Sequence, residues 1–261
     1  LAVTEPGGGS DVAGVTTRAR RDADTFRVDG TKTFITSGVR ADFVTTAVRT
    51  GGDGFGGISL LVIDKDSDGF AVARPLRKMG WLCSDTAELS FDDVRVPAAN
   101  LIGDVDGGFV LIMRQFVHER LSLAVQAYAT AQRCLDLAVE YAKQRTTFGR
   151  PLISRQVIRH KLVDMHRRTT TARAYTRSVL DRVADGSDDA RLALDACIAK
   201  NDAVEACDFV VDQAVQIHGG AGYLRDSEVE RHYRDARILG IGGGSNEVLT
   251  DLAARLLLGT P

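Results

Sequence analysis

The residue whose type and spacing most suggest acid–base chemistry is a carboxylate, Glu119. Glu119 follows Phe116 by three residues and Ile112 by seven, and precedes Leu123 by four. On a helix this spacing places it within the apolar stripe and not on the solvated face. A carboxylate in that position either pairs with a cation or is desolvated, and a desolvated carboxylate can serve as a general base. The spacing leaves both a catalytic role and a structural salt bridge open.

Three glycine clusters offer backbone that a ligand could approach closely. They occupy 7–9, 219–222 and 240–244, and glycine has no side chain that would hold a ligand away. Ser245 follows the third cluster and can cap a helix whose N-terminus would hold a phosphate. None of the clusters fits a P-loop or a dinucleotide-binding pattern. Turns explain any one of them, but three together favour a large phosphate-bearing ligand.

Several other kinds of site and partner are excluded. The five histidines show no metal-ligand spacing and the four cysteines form no CxxC pair, so we expect no metal and reduced thiols. No GxSxG motif is present, which argues against a serine hydrolase. A net charge of −2 gives no footprint for nucleic acid. No apolar stretch approaches the roughly 18 residues that a membrane span needs, and we expect a cytoplasmic protein.

The first hundred residues have the pattern of β-structure. Short alternating runs separated by turn residues predict a sandwich or barrel. The pair Asp29-Gly30, between alternating runs at 26–28 and 31–34, predicts a hairpin. Further strands are predicted at 42–49, 58–64, 70–73 and 87–96.

The period of the pattern changes after Gly107 and Gly108. Apolar residues then recur at helical spacing over 109–141. Long amphipathic segments with short connections favour an antiparallel helical bundle. We therefore predict an α+β chain with a β-domain at 1–104 and a helical domain at 105–261. The remaining helices are predicted at 153–184, 188–217, 227–239 and 246–258.

Seven segments together carry a resemblance to the acyl-CoA dehydrogenase family. Their joint presence, in family order and at family spacing, makes the resemblance specific, and it extends over the whole chain. It implies a middle β-barrel domain, a C-terminal antiparallel four-helix bundle and assembly as a tetramer. It also implies that the family's N-terminal helical domain is absent from this chain. The segments are 3–11, 34–37, 78–81, 91–97, 145–149, 216–223 and 233–237.

The chemistry of this family is α,β-dehydrogenation of an acyl-CoA thioester by FAD, with the electrons passed to an electron-transfer flavoprotein. The resemblance implies that Ser10, Arg120 and Gly243 contact the substrate. Phe34 stands where many members have tryptophan, so an aromatic face is retained without the indole N–H. The implied FAD contacts are Thr4, Phe34, Thr36, Arg145, Phe148, Gln156, Gln216, Gly219, Gly220, Ser245 and Glu247.

The catalytic base is where this chain departs from many members of the family. Those members carry a glutamate in the loop before the last helix, and Gly243 occupies that position here. In the isovaleryl-CoA and long-chain dehydrogenases the base lies instead on the first long helix of the bundle, and Glu119 matches that place. The resemblance therefore implies that Glu119 is the base, in agreement with its place in the apolar stripe.

Two other functions remain open. Flavin monooxygenases and relatives of nitroalkane oxidase share the fold but tend to lose the thioester base, so Glu119 counts against them. A non-catalytic subunit that completes a partner's FAD site is favoured by Gly243 and disfavoured by Glu119. The acyl chain is not specified, although the small Gly242 and Gly243 permit a branched or bulky acyl group.

Overall fold

The computed structural model describes residues 1–186 and 190–259. They divide into two compact units, one of Leu1–Gln115 and one from Phe116 onward. The first unit contains a large β-sheet and the second is mainly helical. The chain is therefore α+β, as the sequence predicts.

Seven strands form one sheet in the first unit. Their order is β5-β6-β2-β1-β3-β4-β7, and all neighbours are antiparallel except β1 and β3. Buried apolar side chains, among them Phe26, Leu61 and Leu89, pack into one core on this sheet. The strands are β1 (Arg18–Asp22), β2 (Thr25–Thr36), β3 (Phe43–Arg49), β4 (Ile58–Asp64), β5 (Phe70–Pro75), β6 (Thr86–Pro97) and β7 (Leu101–Ile102).

The β-barrel expected for this unit is not closed. Strands β5 and β7 lie at the two ends of the strand order, and each pairs with one neighbour. A closed barrel needs a continuous ring of inter-strand hydrogen bonds, which this sheet lacks within the described residues. The sequence could not distinguish the two arrangements, because alternation of apolar and polar residues is the same in an open and a closed sheet.

The hairpin predicted at Asp29-Gly30 is wrong. Strand β2 continues through both residues, and the turn lies instead at Ala23 and Asp24, between β1 and β2. Ala23 adopts the left-handed φ of +55° that this turn needs. Gly30 is required for close approach, because a Cβ there would lie 2.7 Å from the Cα of Thr17. The DG pair therefore marks a crowded point in a strand and not its end.

Five helices follow, and the predicted boundaries agree with them to within a few residues. The predicted start of the third helix, at 188, lies outside the described residues. Within the part of the chain that the structure describes, no helix is long and apolar enough to cross a bilayer. The helices are α1 (Gly108–Gln144), α2 (Gln156–Ala184), α3 (Ala190–His218), α4 (Glu228–Ala236) and α5 (Asn246–Leu258).

Helix α3 is the centre of the second unit, since it packs against α2, α4 and α5. Leu121 of α1 joins a buried cluster with Val179 of α2 and Ala196 of α3. A short hairpin of β8 (Thr146–Thr147) and β9 (Arg150–Pro151) connects α1 to α2. The helices thus share one apolar interior, as amphipathic segments of this length require.

A buried ion pair attaches the N-terminal segment to the sheet. Lys32 of β2 is fully buried, and its Nζ donates to Oε1 of Glu5 at 2.8 Å and to the backbone oxygen of Val3 at 3.0 Å. The Glu5 carboxylate also accepts bonds from the N–H and hydroxyl of Thr16 and from the N–H of Thr17. Buried charges destabilise a fold unless they are paired and hydrogen-bonded, and both conditions are met here.

The environment of this pair shifts both pKa values. Burial by itself would raise the pKa of Glu5, but the hydrogen bonds and charge that it receives lower it to about 2. Burial lowers the pKa of Lys32 to about 8 against the opposing effect of Glu5. Because the folded pKa of Glu5 lies below its ordinary value of 4.5, its stabilising effect is present above pH 4.5 and is lost as the pH falls towards 2.

We expect Lys32→Met to lower the free energy of unfolding by about 3 kcal/mol at neutral pH, because the Glu5 carboxylate would stay buried without its cation. Urea denaturation followed by circular dichroism measures the loss, which should shrink as the pH falls below about 4.5.

Arg74→Met is the matched control on the same sheet. Arg74 pairs with Glu88 at 2.6 Å, but its side chain is 64% exposed, so its removal should lower the free energy of unfolding far less than Lys32→Met does. Equal losses in the two variants would contradict the role given to Lys32.

Candidate functional site

The N-terminal segment and β2 bring three of the predicted site residues together. The backbone oxygen of Thr4 accepts a hydrogen bond from the N–H of Thr33 at 2.9 Å. Thr4 therefore lies beside the end of β2 that carries Phe34 and Thr36. Gly9 packs closely over it, since a Cβ at that position would lie 3.0 Å from Cγ2 of Thr4. The sheet thus presents a hydroxyl, an aromatic ring and a second hydroxyl from one region.

Phe34 shows its ring to solvent from an unusual backbone conformation. The residue is 68% exposed and has a φ of +58°, a region that few residues other than glycine adopt. The pairing of β2 with β6 shifts register between Lys32 and Ile35, which interrupts the regular alternation of the strand. Strained conformations of this kind cluster at functional sites, so the exposed ring is a candidate binding surface.

Ser10 lies exposed in a turn that Arg49 holds in place. The guanidinium of Arg49 donates to the backbone oxygens of Ala13 at 2.5 Å and of Val15 at 2.8 Å. These oxygens belong to or follow the short 3-10 turn at Val12–Gly14. A cation from β3 therefore holds the backbone that follows Ser10.

In the second unit, two residues that follow Glu119 on α1 contact the loop before α5. Arg120 is buried, and its Nε donates a long hydrogen bond to the oxygen of Gly243 at 3.5 Å. Leu123, one turn further on, fills the place of a side chain at 243, where a Cβ would lie 2.5 Å from Cδ1 of Leu123. The room that glycine leaves here is thus taken by Leu123, contrary to the wider pocket that the sequence permits.

Glu119 itself is half-buried, as are Phe116 and Leu123 on the same face of α1. The fully buried face of the helix runs instead through Leu121 and Ala124. Over residues 1–186 and 190–259, the Glu119 carboxylate has neither an ion pair nor a hydrogen bond. The salt-bridge interpretation therefore finds no partner there.

The loop before α5 is held in a conformation that only glycine adopts readily. Gly243 and Gly244 have φ values of +67° and +95°. Ser245 then caps α5, since its Oγ accepts a hydrogen bond from the N–H of Val248 at 3.3 Å. Hydrogen bonds from its own N–H and from Ser245 lower the pKa of Glu247, in the first turn of the same helix.

Sequence analysis missed one residue of this loop region. Lys200 of α3 is fully buried, and its Nζ donates to the oxygen of Gly244 at 2.9 Å. The sequence does contain a sign of it, because a single lysine interrupts the otherwise apolar face of α3 that includes Cys197 and Val204. A lysine in such a face is buried only where its ammonium group finds acceptors.

The glycine turn after α3 leaves its backbone open. Gly219 has a φ of +59°, and a Cβ at Gly219 or Gly220 would meet no atom within 4 Å. Packing does not require glycine at these positions, so the open backbone suits the approach of a ligand. Gln216 is exposed shortly before the turn.

The hairpin between α1 and α2 presents the last group. Phe148 is 97% exposed with a φ of +50°, and its ring centroid lies 5.7 Å from the guanidinium carbon of Arg155. Arg145 precedes the hairpin and Gln156 begins α2, and both are exposed. Aromatic rings are enriched in the cores of protein interfaces, so this ring is a candidate contact for another molecule.

The structure therefore places the predicted residues in three local groups. A stack of Tyr141 on His218, with centroids 4.3 Å apart, connects the end of α1 to the turn at Gly219. The first group is Thr4, Ser10, Phe34 and Thr36; the second is Glu119, Arg120, Gly243, Ser245 and Glu247; the third is Arg145, Phe148, Gln156, Gln216, Gly219 and Gly220.

Nearly the whole chain is similar to known protein families and to characterised proteins. The family model "Acyl-CoA dehydrogenase, middle domain" matches residues 1–94, and "Acyl-CoA dehydrogenase, C-terminal domain" matches residues 106–258. Mitochondrial isobutyryl-CoA dehydrogenase of Bos taurus is 37% identical over 256 residues, which are 98% of this chain and 61% of that protein. The chain thus spans about three fifths of the length of this relative.

Solved structures show the same similarity. A probable acyl-CoA dehydrogenase from Mycobacterium abscessus is 63% identical with a TM-score of 0.95, over 98% of this chain and 68% of that one. An acyl-CoA dehydrogenase from Bacillus anthracis, solved in complex with FAD, is 29% identical with a TM-score of 0.91, over 99% of this chain and 47% of that one.

The contact of Leu123 with Gly243 can be measured through stability. We expect Gly243→Ala to destabilise the protein by about 1–2 kcal/mol from its positive φ, with a further loss from the contact with Leu123. Gly259→Ala is the matched control, because Gly259 has a φ of +63° and nothing within 4 Å.

Urea denaturation of the variants separates the two effects. In a Leu123→Ala background, Gly243→Ala should destabilise about as much as Gly259→Ala does, since only backbone strain remains. If Gly243→Ala destabilises the protein equally with and without Leu123, the contact with Leu123 does not contribute to the loss of stability, and the clash proposed here is wrong.

Proposed function

Because the chain belongs to the acyl-CoA dehydrogenase family, we propose that its protein dehydrogenates an acyl-CoA thioester between Cα and Cβ, with FAD as cofactor. One observation carries the proposal. Glu119 is a half-buried carboxylate with no cation partner among residues 1–186 and 190–259, and the neighbouring Arg120 and Leu123 both contact Gly243. A proton acceptor thus lies beside the loop that carries the base in many relatives.

The residues present fit FAD. Open backbone at Gly219 and Gly220 suits a diphosphate-bearing ligand, and the exposed rings of Phe34 and Phe148 offer flat apolar faces. The chemistry that bound FAD supplies is acceptance of a hydride from Cβ. We assign Thr4, Phe34 and Thr36 to the flavin end, Gln216, Gly219 and Gly220 to the ADP end, and Arg145, Phe148, Gln156, Ser245 and Glu247 to further FAD contacts.

The chain's own task is removal of the α-proton, which is difficult because the C–H bond is a weak acid. A base for this step has to be free of ion pairs and partly shielded from water. Glu119 meets both conditions, whereas Gly243 has no group that accepts a proton. We assign Ser10, Arg120 and Gly243 to contacts with the acyl-CoA.

The proposal extends to the assembly and to the electron acceptor. The exposed Phe148 supports a homo-oligomer, a tetramer by family resemblance, because interfaces cover such rings. An electron-transfer flavoprotein is the proposed acceptor. The finer architecture is a bundle of α1, α2, α3 and α5, within a helical domain that begins at 105 and follows a β-domain at 1–104. A cytoplasmic location stays a prediction from the sequence.

The free carboxylate also bears on the alternatives. A monooxygenase of this fold or a non-catalytic subunit does not need a base that removes the α-proton of a thioester, so Glu119 counts against both. Both alternatives predict that no acyl-CoA reduces the bound flavin under anaerobic conditions, so a panel of acyl-CoAs of different chain length and branching separates them from the proposed function.

We expect Glu119→Gln to slow flavin reduction by about 10²–10⁴-fold, because the substitution keeps the volume and removes the proton acceptor. Anaerobic stopped-flow measurement of flavin bleaching by acyl-CoA gives the rate per bound flavin. FAD content and substrate affinity should remain close to those of the wild type.

Glu140→Gln is the matched control on the same helix. Glu140 is exposed and accepts a hydrogen bond from Gln144 at 3.1 Å, so its replacement should leave the rate unchanged. A near-normal rate in Glu119→Gln would contradict the assignment of Glu119 as the base, and so would an equal loss of rate in both variants.

Phe148→Ser tests the proposed interface. Without FAD, the variant should unfold within about 0.5 kcal/mol of the wild type, because the ring is exposed. In the FAD-loaded protein, we expect faster loss of FAD on dilution and a smaller species in sedimentation. Unchanged FAD retention together with unchanged sedimentation would show that nothing covers this ring.

A further inference from the structure

Lys200 is a buried cation to which the proposed function gives no role. Its side chain is fully buried in α3, and Nζ donates to the oxygen of Gly244 at 2.9 Å and to Oδ1 of Asn246 at 3.1 Å. No carboxylate lies within ion-pair distance of it in the residues for which the structure gives positions. Both of its partners belong to the segment where the glycine loop enters α5.

The ammonium group of Lys200 is costly to bury at this place. Burial lowers the pKa of Lys200 to about 8, and the charge of Arg120 acts in the same direction, while Asp208 and Glu247 oppose it. An apolar residue of similar length would avoid the desolvation of an ammonium group next to a guanidinium. Stability of the core therefore does not explain why α3 carries a lysine here.

The next residue of α3 also binds this segment. Nδ2 of Asn201 donates to the backbone oxygen of Asn246 at 2.9 Å and to Oγ1 of Thr250 at 3.1 Å. Lys200 and Asn201 together form hydrogen bonds to the residues before and after Ser245, which caps α5. Two successive side chains of α3 thus bind one short segment of the chain.

The loop needs such anchors because of its composition. Gly243 and Gly244 both have positive φ values, and glycine has more backbone freedom than any other residue. Two cations from different helices hold successive carbonyl groups, since Arg120 of α1 donates to the oxygen of Gly243 and Lys200 of α3 to that of Gly244. The loop is therefore fixed from both sides through its backbone oxygens.

We propose that Lys200 is a positioning residue for the dehydrogenation, which fixes the loop at 240–245 against α1 where Arg120 and Leu123 flank Glu119. The inference rests on the proposed function. Lys200 acts through the oxygen of Gly244 and does not itself touch the substrate. Its removal should leave the base in place and loosen the loop opposite it.

The first measurement is flavin reduction by acyl-CoA in the FAD-loaded protein. Lys200→Met keeps most of the volume and removes the donors, and the rate per bound flavin should fall by about 10- to 100-fold, as a small misplacement in an active site does. Val211→Ala is the matched control, because it opens a small cavity in the same helix at a buried position away from the loop. It should retain the wild-type rate.

The second measurement is amide hydrogen exchange of residues 240–247 without substrate, which does not depend on turnover. Lys200→Met should speed exchange in this segment, and Val211→Ala should not. If Lys200→Met fails to fold, Asn246→Ala removes one of the two acceptors of Nζ and should give a smaller change in the same direction.

The outcomes are distinguishable. Wild-type rates and wild-type exchange in Lys200→Met, or in Asn246→Ala in its place, would overturn the inference, and so would equal changes in Val211→Ala. A wild-type flavin that no acyl-CoA reduces would overturn the proposed function. The exchange comparison would then decide by itself whether Lys200 fixes the loop.

Discussion

The architecture of the site depends on one kind of interaction, a buried lysine ammonium that donates to a backbone oxygen. Lys32 does this in the first unit, where it holds the oxygen of Val3 and pairs with Glu5. Lys200 does it in the second, where it holds the oxygen of Gly244. In both places an irregular segment with proposed ligand contacts is attached to a regular element, β2 or α3. The hydrogen bonds of a buried ammonium group are directional where an apolar contact is not, so they can fix one conformation among the many that a loop could adopt.

The two attachments serve different parts of the chemistry. The first places Thr4 beside Phe34 and Thr36, so that small polar groups and an exposed ring are presented together. The second holds the loop that Arg120 and Leu123 also contact, next to the free carboxylate of Glu119. The proposed binding surface and the proposed proton acceptor thus belong to separate elements, and a buried lysine is hydrogen-bonded to the irregular segment in each.

The sequence predicts the helices well, because apolar spacing and glycine breaks are local signals. It fails where an outcome depends on residues far apart in the chain. The pair at Asp29-Gly30 has the composition of a turn, yet Gly30 is small because Thr17 lies against it. Closure of a barrel depends on whether two edge strands meet, which alternation does not encode.

The candidate site likewise contains one feature that local spacing indicates and one that depends on residues far apart in the chain. The spacing around Glu119 indicates an unusual carboxylate, and the structure adds that it has no cation among the described residues. The lysine in the apolar face of α3 is visible in the sequence, but its partners at Gly244 and Asn246 lie some 45 residues further along the chain. A local pattern therefore shows that Lys200 is unusual and does not show what it binds.

The fit of Leu123 against Gly243 has an evolutionary consequence. A mutation that returned a carboxylate to the loop would meet Leu123 before it could offer any benefit, and a mutation that shortened Leu123 would leave a void before any carboxylate arrived. Each single step away from the present pair would therefore cost stability, so each position constrains what the other can become. The pair is entrenched in this sense, which favours keeping the proposed proton acceptor on α1.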